Sequence, residues 1–139
     1  MTRVLLAGVS TRALAESAVR AGYEVVAVDG FGDLDLRACT TDVHVVRVGG
    51  RFSARAAAAA ARDVSSEFVV YQASFDNHPG AVRVLAANRV LWGNPPAVLG
   101  RARDPRRVAR VVRDAGLPGP RVRLTRPPPG ARSGWLEKP

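Results

Sequence analysis

Small and polar residues follow the first apolar segment of the chain and offer donors and acceptors to a bound ligand. Residues 4–9 form a short, continuous apolar run, which is typical of a strand buried on both faces of a sheet. Residues 24–28 form a second apolar run, which ends on Asp29. Two buried strands joined through a helix are parallel neighbours, and such sheets bind ligands beyond the carboxyl ends of their strands. We therefore predict substrate contacts from residues at these two ends: Gly8, Ser10, Thr11, Arg12, Asp29 and Asp33.

A second group of polar side chains lies at residues 72–79, directly after an apolar run at residues 67–71. Its hydroxyl, carboxylate, amide and imidazole groups could contact a polar substrate. Alternatively, Asn77 or His78 could cap the helix that Pro79 is expected to begin. Both interpretations stay open from the sequence. The candidate substrate-binding residues in this group are Ser74, Asp76, Asn77 and His78.

Candidate metal ligands and catalytic bases are few. Asp33 and Asp35 are close in sequence, but with no histidine or third acid at ligand spacing we interpret them as solvent-facing loop acids. His44 stands among valines and is interpreted as an edge-strand side chain, because no partner nucleophile is visible. The single cysteine, Cys39, rules out an internal disulfide and favours a reducing compartment. We expect a cytoplasmic protein without a membrane partner, because the first apolar run is too short for a signal peptide or a membrane span.

The pattern of the whole chain predicts an α/β fold, a Rossmann-like open parallel sheet flanked by helices, with a helical, proline-rich carboxyl-terminal extension. Ser53 is placed to cap an alanine-rich helix, and Asp104 followed by Pro105 is a strong signal for the start of another. The predicted strands are 4–9, 24–28, 43–48, 67–71 and 90–92, the predicted helices are 11–21, 54–62, one beginning at Pro79, 95–99 and 105–115, and 31–37 is predicted as a loop.

The net charge of +9 is unevenly distributed along the chain. Residues 1–80 carry eight arginines against nine acidic residues, whereas residues 81–139 carry twelve arginines and one lysine against three acidic residues. Long-range attraction could bring a nucleotide, an acidic substrate or a nucleic acid to the basic part. Alternatively the arginines are a solvated surface, as expected for Arg106, Arg110 and Arg113 on the outer face of the predicted helix 105–115. A nucleic acid is the least favoured partner, because only Trp92 and Trp135 supply aromatic rings there.

The end of the chain has a different character. Residues 117–134 are rich in proline and glycine, which predicts a linker around at most one short strand. Residues 135–138 have the pattern of the beginning of a new strand. A strand needs neighbours, so this segment either pairs locally or belongs to a further domain.

Five segments that occur in order along the chain resemble one family. They are Leu5-Leu6-Ala7-Gly8-Val9-Ser10-Thr11-Arg12, then Val25-Val26-Ala27-Val28-Asp29 with Phe31-Gly32-Asp33-Leu34-Asp35, then Gly93-Asn94-Pro95-Pro96-Ala97-Val98-Leu99, then Arg103-Asp104-Pro105, and finally Trp135-Leu136-Glu137-Lys138-Pro139. Together they resemble ATP-grasp enzymes, most closely the branch of predicted ATP-dependent carboligases related to biotin carboxylase. The resemblance covers essentially the whole chain.

This resemblance implies a division of the chain and two nucleotide contacts. Residues 1–93 would be the amino-terminal pre-grasp domain, residues 94–116 the linking helices, and residues 117–139 a linker with the first strand of an incomplete ATP-grasp domain. Lys138 stands at the position of the family's nucleotide-contacting lysine, and an ammonium group suits a phosphate oxygen. A second basic residue near the start of the linking helix often helps to bind ATP in this family. Arg103 or Arg106 would take that role here.

The resemblance also implies a reaction. The complete enzyme would use ATP and Mg²⁺ to activate a substrate carboxylate as an acyl phosphate, which an amine or similar nucleophile then attacks. The pre-grasp part would help to hold this small-molecule carboxylate. The family's glycine-rich loop, adenine-contacting hinge and magnesium ligands lie beyond the segments matched here, so we expect the remainder of the ATP-grasp fold as a partner and no catalysis by this chain alone.

Two other classes of protein stay open at this stage. A dinucleotide-dependent oxidoreductase domain would share the opening strand–helix–strand unit, with Asp29 on a ribose hydroxyl, but residues 8–13 lack the G-x-G-x-x-G spacing. A stand-alone, non-catalytic α/β module would bind a ligand or a nucleic acid, with the basic tail contacting nucleic acid or a partner protein. Its affinity for nucleic acid would fall steeply with salt. A homodimer formed through a helix face is also compatible with a small parallel sheet.

Overall fold

Five parallel strands form one sheet in the first part of the chain. The computed structural model describes residues 1–125, 130, 134 and 135, and the chain divides into two units, Met1–Gly100 and Arg101–Pro139. The strands are β1 (Arg3–Gly8), β2 (Glu24–Asp29), β3 (Asp42–Val45), β4 (Phe68–Tyr71) and β5 (Val90–Leu91). Their spatial order is β3-β2-β1-β4-β5, and every pair is parallel. The predicted α/β fold with an open parallel sheet is confirmed.

The described helices alternate with these strands and then follow them. No described helix has the length and apolar character needed to cross a membrane. The helices are α1 (Arg12–Arg20), α2 (Leu34–Cys39), α3 (Ala54–Ala60), α4 (Pro79–Leu85), α5 (Pro96–Ala102) and α6 (Pro105–Asp114), with one 3₁₀ turn at Ala73–Phe75.

Two predicted segments differ from the structure. The prediction of a loop at 31–37 is wrong for residues 34–37, because helix α2 begins at Leu34. Asp33 caps this helix by accepting a hydrogen bond from the Leu36 backbone N at 3.0 Å, so it is not simply a solvent-facing loop acid. The strand predicted at 43–48 ends at Val45, since the chain then turns and residues 48 and 51 form only an isolated bridge. His44 does lie on an edge strand, as predicted.

The sheet separates two apolar cores, because consecutive side chains of a strand point to opposite faces. On one face, Val4 and Leu6 of β1 pack with Ala15 of α1 and Leu36 of α2. On the other face, Leu5 and Ala7 pack with residues of α3, α4 and the 3₁₀ turn. The buried members of this second core include Ala54, Ala57, Ala58, Ala61, Val69, Phe75, Ala81, Val82 and Leu85. The alanines of α3 let the helix lie close to the strands.

Helix α6 belongs to the second unit and begins where the sequence predicts. Asp104 caps it, with Oδ1 accepting a hydrogen bond from the Arg106 backbone N at 2.9 Å. Its valines are not buried against the described residues, and the exposed fraction of Val111 is 62%. Arg106, Arg110 and Arg113 share one face as predicted. The three side chains are exposed to solvent, and the same face also lines a cavity within the unit.

Candidate functional site

The helices that follow β1 and β4 leave the sheet on opposite faces. Helix α1 packs in the core that contains Val4, whereas α4 packs in the core that contains Leu5. Since β1 and β4 are neighbours in the sheet, their two outgoing connections diverge. Divergence of this kind opens a crevice beyond the carboxyl ends of the strands, the usual ligand position in open α/β sheets. The structure therefore brings the residues after β1 and those after β4 to the two sides of one candidate site.

The Asp29 carboxylate links the loop after β1 to the loop after β2 through hydrogen bonds. Its side chain is buried, and each carboxylate oxygen accepts two hydrogen bonds. Oδ2 accepts from the Thr11 backbone N at 2.6 Å and from Thr11 Oγ1 at 2.8 Å. Oδ1 accepts from the backbone N of Phe31 at 2.6 Å and of Gly32 at 2.7 Å. Asp29 thus fixes the shape of both loops, and Thr11, also buried, is part of the same arrangement.

The hydrogen bonds to Asp29 also determine its charge. Burial raises the pKa of Asp29, but the hydrogen bonds from the Gly32, Thr11 and Phe31 backbone and from the Thr11 hydroxyl outweigh burial and hold the pKa below its ordinary value. The ionised form is therefore the one that the folded chain stabilises.

Close backbone packing and two arginines hold the loop after β2. A Cβ added at Gly30 would lie 2.8 Å from the Val9 carbonyl oxygen, so this position requires glycine. Arg47 Nε donates to the Gly30 carbonyl oxygen at 2.5 Å, and Arg37 Nε donates to that of Gly32 at 2.9 Å. The loop after β2 therefore has contacts of its own that hold it without a ligand.

Arg12 lies among acidic side chains at the start of α1. Its Nη1 lies 3.3 Å from an oxygen of Asp35 and 4.0 Å from one of Asp33, and its Nε lies 3.9 Å from Glu16. These pairs are exposed to solvent, so each adds little stability. The three acids partly compensate the charge of the guanidinium, which is exposed to solvent like Ser10, two residues before it.

Gln72, which the sequence did not single out as a site residue, forms the opposite wall. A Cβ at Gly8 would lie 2.1 Å from Gln72 Oε1 and 3.0 Å from its Cβ, so the amide packs directly over the end of β1. Only the strand order reveals this contact, because Gly8 ends β1 and Gln72 follows β4, and these two strands are distant in sequence. The polarity of the segment 72–79 was the only signal available.

The 3₁₀ turn after β4 carries a buried hydroxyl without a partner. Phe75 anchors the turn in the core, where its ring packs against Phe52 and Tyr71. Next to it, Ser74 Oγ is buried and makes no hydrogen bond with the described residues. A buried hydroxyl without a partner is destabilising unless something binds it. Ser74 is therefore a candidate ligand contact.

We expect Ser74→Ala to leave the free energy of unfolding unchanged within about 0.5 kcal/mol, or to raise it, because no hydrogen bond is lost. Urea denaturation followed by circular dichroism measures this change. Ser53→Ala is the matched control, since Ser53 Oγ accepts from the Ala56 backbone N at 3.3 Å and caps α3. We expect it to cost about 1 kcal/mol. A larger loss at Ser74 than at Ser53 would contradict this interpretation.

Asn77 and His78 face a different cleft. They line a cavity of about 460 Å³ with Arg55 of α3, Arg62 just after that helix, and the first residues of α4. His78 is the N-cap of α4, as the alternative interpretation held, but its side chain makes no capping hydrogen bond. The group predicted after β4 thus divides into Ser74 and Asp76 within the turn and this pair over α3. Asp76 also adds to the upward shift that burial causes in the pKa of Tyr71.

The residues proposed for nucleotide binding are only partly described. Lys138 lies outside the described residues. Arg103 and Arg106 lie on either side of the cap of α6, and Arg106 Nε is 3.4 Å from Asp104 Oδ1. Across residues 1–125, 130, 134 and 135, no three or more histidine, cysteine, aspartate or glutamate side chains are grouped to hold a metal ion. The described side chains therefore do not form a site that fits Mg²⁺.

Comparisons with known proteins give the class of fold. A scan against models of protein families and a search of curated sequences find no match. Among solved structures, the chain is similar to the biotin carboxylase domain of a single-chain bacterial carboxylase, with 23% identity, a TM-score of 0.66 and coverage of 85% of this chain and 30% of that one. It is also similar to glycinamide-RNase-transformylase T from Mycobacterium tuberculosis, with 26% identity, a TM-score of 0.59 and coverage of 84% and 36%.

A third similar structure is an ADP complex of N5-carboxyaminoimidazole ribonucleotide synthetase, with 18% identity, a TM-score of 0.59 and coverage of 84% of this chain and 30% of that one. All three are ATP-grasp enzymes. The chain therefore has a fold found in ATP-grasp enzymes, and the resemblance noted in the sequence is confirmed at the level of the fold. It spans between 30% and 36% of the length of these three structures.

Proposed function

We propose that this chain is the amino-terminal part of an ATP-grasp ligase and holds a small carboxylate substrate at the carboxyl ends of β1, β2 and β4. The similarity of its parallel sheet to a biotin carboxylase domain, with a TM-score of 0.66 over 85% of the chain, carries the proposal. The order of the five sequence segments supports it independently. In the complete enzyme, MgATP would supply the phosphoryl group that activates the carboxylate for attack by an amine or similar nucleophile.

The chain's own residues would bind and orient the substrate. The Arg12 guanidinium would contact an anionic group of the substrate, and Ser10 would supply a hydroxyl from the loop after β1. Ser74 Oγ, which is buried and has no hydrogen-bond partner among the described residues, would supply one from the loop after β4. Asp29 and Thr11 act as positioning residues, because their hydrogen bonds fix the two loops before the substrate arrives. Because the loops are already ordered, less conformational entropy is lost when the substrate binds, and binding is correspondingly stronger.

The rest of the ligase would come from further polypeptide. Within this chain, the proposed boundaries are 1–93 for the pre-grasp domain, 94–116 for the linking helices, and 117–139 for the linker and the first strand of the ATP-grasp domain. Lys138 with Arg103 or Arg106 would contact the nucleotide. The magnesium ligands would lie outside this chain. We therefore expect the 139-residue chain alone to show no ATP turnover.

The decisive experiment is to translate the source gene downstream of residue 139 and to assay the complete product. We expect an open frame with a glycine-rich loop and later acidic and asparagine residues, and Mg²⁺-dependent phosphate release stimulated by a carboxylate substrate. A stop codon at that point with no companion chain encoded nearby would exclude the ligase. A stand-alone, non-catalytic binding module, as named above, would then be the better explanation.

Gly8→Ala tests the crevice in the complete enzyme. We expect it to lower kcat/KM by about tenfold or more, because the new methyl group would displace the Gln72 side chain and shift the crevice walls. Gly80→Ala is the matched control, since nothing lies within 4 Å of a Cβ there and we expect unchanged activity. Adding Gln72→Ala to Gly8→Ala should restore part of the activity by removing the clash. Full activity of Gly8→Ala alone would place the substrate elsewhere.

A further inference from the structure

The helices of the first unit cover the two faces of the sheet unequally. On the face that carries Val4 and Leu6, the helices are α1 and α2, and they pack mainly on β2 and β3. Helices α3 and α4 and Leu99 of α5 belong to the core on the opposite face. A parallel sheet is normally covered on both of its faces. The helices of the first unit, all of whose residues are described, therefore leave one face of β4 and β5 partly open.

The open part of this face consists of Phe68, Val70, Val90 and Trp92, which we call the β4–β5 patch. Phe68 and Val90 are register partners of parallel strands, so their side chains point to the same face. Val70 and Trp92 each follow two residues later and share that face. Phe68 and Val70 are partly buried against the core of this face, whereas Val90 is 57% and Trp92 39% exposed. The patch thus extends the apolar core to the edge of the sheet.

Two other rings hold Trp92 in a defined position. Its ring is stacked on that of Phe68, with the ring centres 4.2 Å apart and an angle of 29° between the planes. The ring of Tyr23, the residue before β2, meets Trp92 edge-on with the centres 5.5 Å apart. A ring that is already fixed loses little conformational freedom when another segment packs on it, and tryptophan is a frequent anchor of interfaces. The patch is therefore suited to contact with another apolar surface.

The size of the patch distinguishes between two kinds of partner. An aromatic side chain has about 150 to 250 Å² of surface to bury, so the exposed parts of these four side chains amount to roughly 300 Å². A stable interface between two proteins needs about 800 Å² from each partner. The patch alone is therefore too small to hold two copies of the chain together. It matches the area that one packed element covers within a polypeptide.

We propose that the apolar face of a helix from the polypeptide that completes the ligase packs on the β4–β5 patch. This inference rests on the proposed function and adds to it the surface through which the rest of the enzyme contacts the sheet. The chain spans between 30% and 36% of the three similar structures named above, so a ligase of their length has further polypeptide to supply the helix. A helix is the element that normally covers a face of a parallel sheet.

The test compares the 139-residue chain with the complete gene product, each carrying Cys39→Ser and Val90→Cys. A maleimide modifies the new thiol, and mass spectrometry of the peptides gives the rate of modification at residue 90. We expect this rate to be about tenfold or more lower in the complete product, because a covered thiol reacts only when the covering segment opens. Ala87→Cys, at an exposed position just after α4, is the matched control. Its rate should differ by less than about twofold between the two proteins.

Equal rates at residue 90 in the two proteins would overturn the proposal, as would equal slowing at residues 87 and 90, which would show that protection is not specific to the patch. Slower modification of residue 90 as the concentration of the 139-residue chain rises would assign the patch to a second copy instead. Phosphate release by the unmodified complete product separates this inference from the ligase proposal. An active product with fast modification at residue 90 overturns the docking surface alone, and slow modification without ATP turnover overturns the ligase alone. A gene that ends at residue 139 overturns both.

Discussion

Asp29→Ala is expected to lower the free energy of unfolding by about 3 to 5 kcal/mol, the largest effect of any single polar substitution in the first unit. The substitution removes an ionised acceptor of four hydrogen bonds and leaves the backbone N–H groups of Thr11, Phe31 and Gly32 without it. A hydrogen bond to a charged group contributes about 1.5 to 3 kcal/mol, and buried donors left unpaired add a further penalty. Urea denaturation followed by circular dichroism measures the loss.

Two matched variants separate the contributions of the Asp29 carboxylate. Thr11→Val removes only the hydroxyl donor and should cost about 1 kcal/mol. Asp29→Asn keeps the shape but turns one acceptor into an NH₂ group that faces N–H donors, so its cost should lie between those of Thr11→Val and Asp29→Ala. A loss below 1 kcal/mol for Asp29→Ala would show that the two loops are held by other contacts.

The same residue gives the stability a defined pH dependence. The pKa of Asp29 is lower in the folded chain than its ordinary value. Its contribution is therefore fully present above the unfolded-state pKa and is lost as the pH falls through the folded-state pKa. Between neutral pH and strong acid, the wild-type chain should lose more stability than Asp29→Asn, which has no carboxyl group to titrate there. Parallel acid unfolding curves for the two chains would contradict this assignment.

Arg89→Met is expected to lower the free energy of unfolding by about 2 to 4 kcal/mol. The guanidinium donates to Ser66 Oγ at 2.7 Å and to the carbonyl oxygens of Leu85 at 3.0 Å and of Ala61 at 2.5 Å, with a further contact to that of Val64. One side chain thus joins the end of α3, the loop before β4 and the end of α4. Methionine keeps much of the apolar volume but leaves these partly buried acceptors without their donor.

Arg89→Lys and Arg83→Met serve as the comparisons for this prediction. Lysine has no fork and can satisfy only some of the acceptors, so we expect it to recover part of the loss. Arg83 is an exposed arginine of α4, and Arg83→Met should change the stability by no more than about 0.5 kcal/mol. Burial lowers the pKa of Arg89, but the group stays charged over the working range, so the loss should not vary between pH 5 and pH 8. An Arg89→Met loss no larger than that of Arg83→Met would contradict the role of the guanidinium.

Local patterns determined most of the elements. The apolar runs at residues 4–9 and 24–28 predicted β1 and β2, and the caps Ser53 and Asp104 with Pro79 at a helix start placed α3, α6 and α4. These signals depend on neighbours only a few residues away, which is why they can be recognised without a structure. Helix α2 was not predicted from the sequence, because it has only six residues and follows two glycines. Its N-cap residue, Asp33, is also common in loops.

The sequence by itself thus determined the fold class, while the site at the ends of β1 and β2, the substrate contacts and the domain boundaries remain predictions. Only the tertiary structure decided that β4 lies beside β1, that Gln72 packs on Gly8, and that Asp29 accepts hydrogen bonds from Thr11. Each of these depends on strand order and on contacts between residues far apart in sequence. Local periodicity records whether a strand is buried, but it does not record which strand lies next to it.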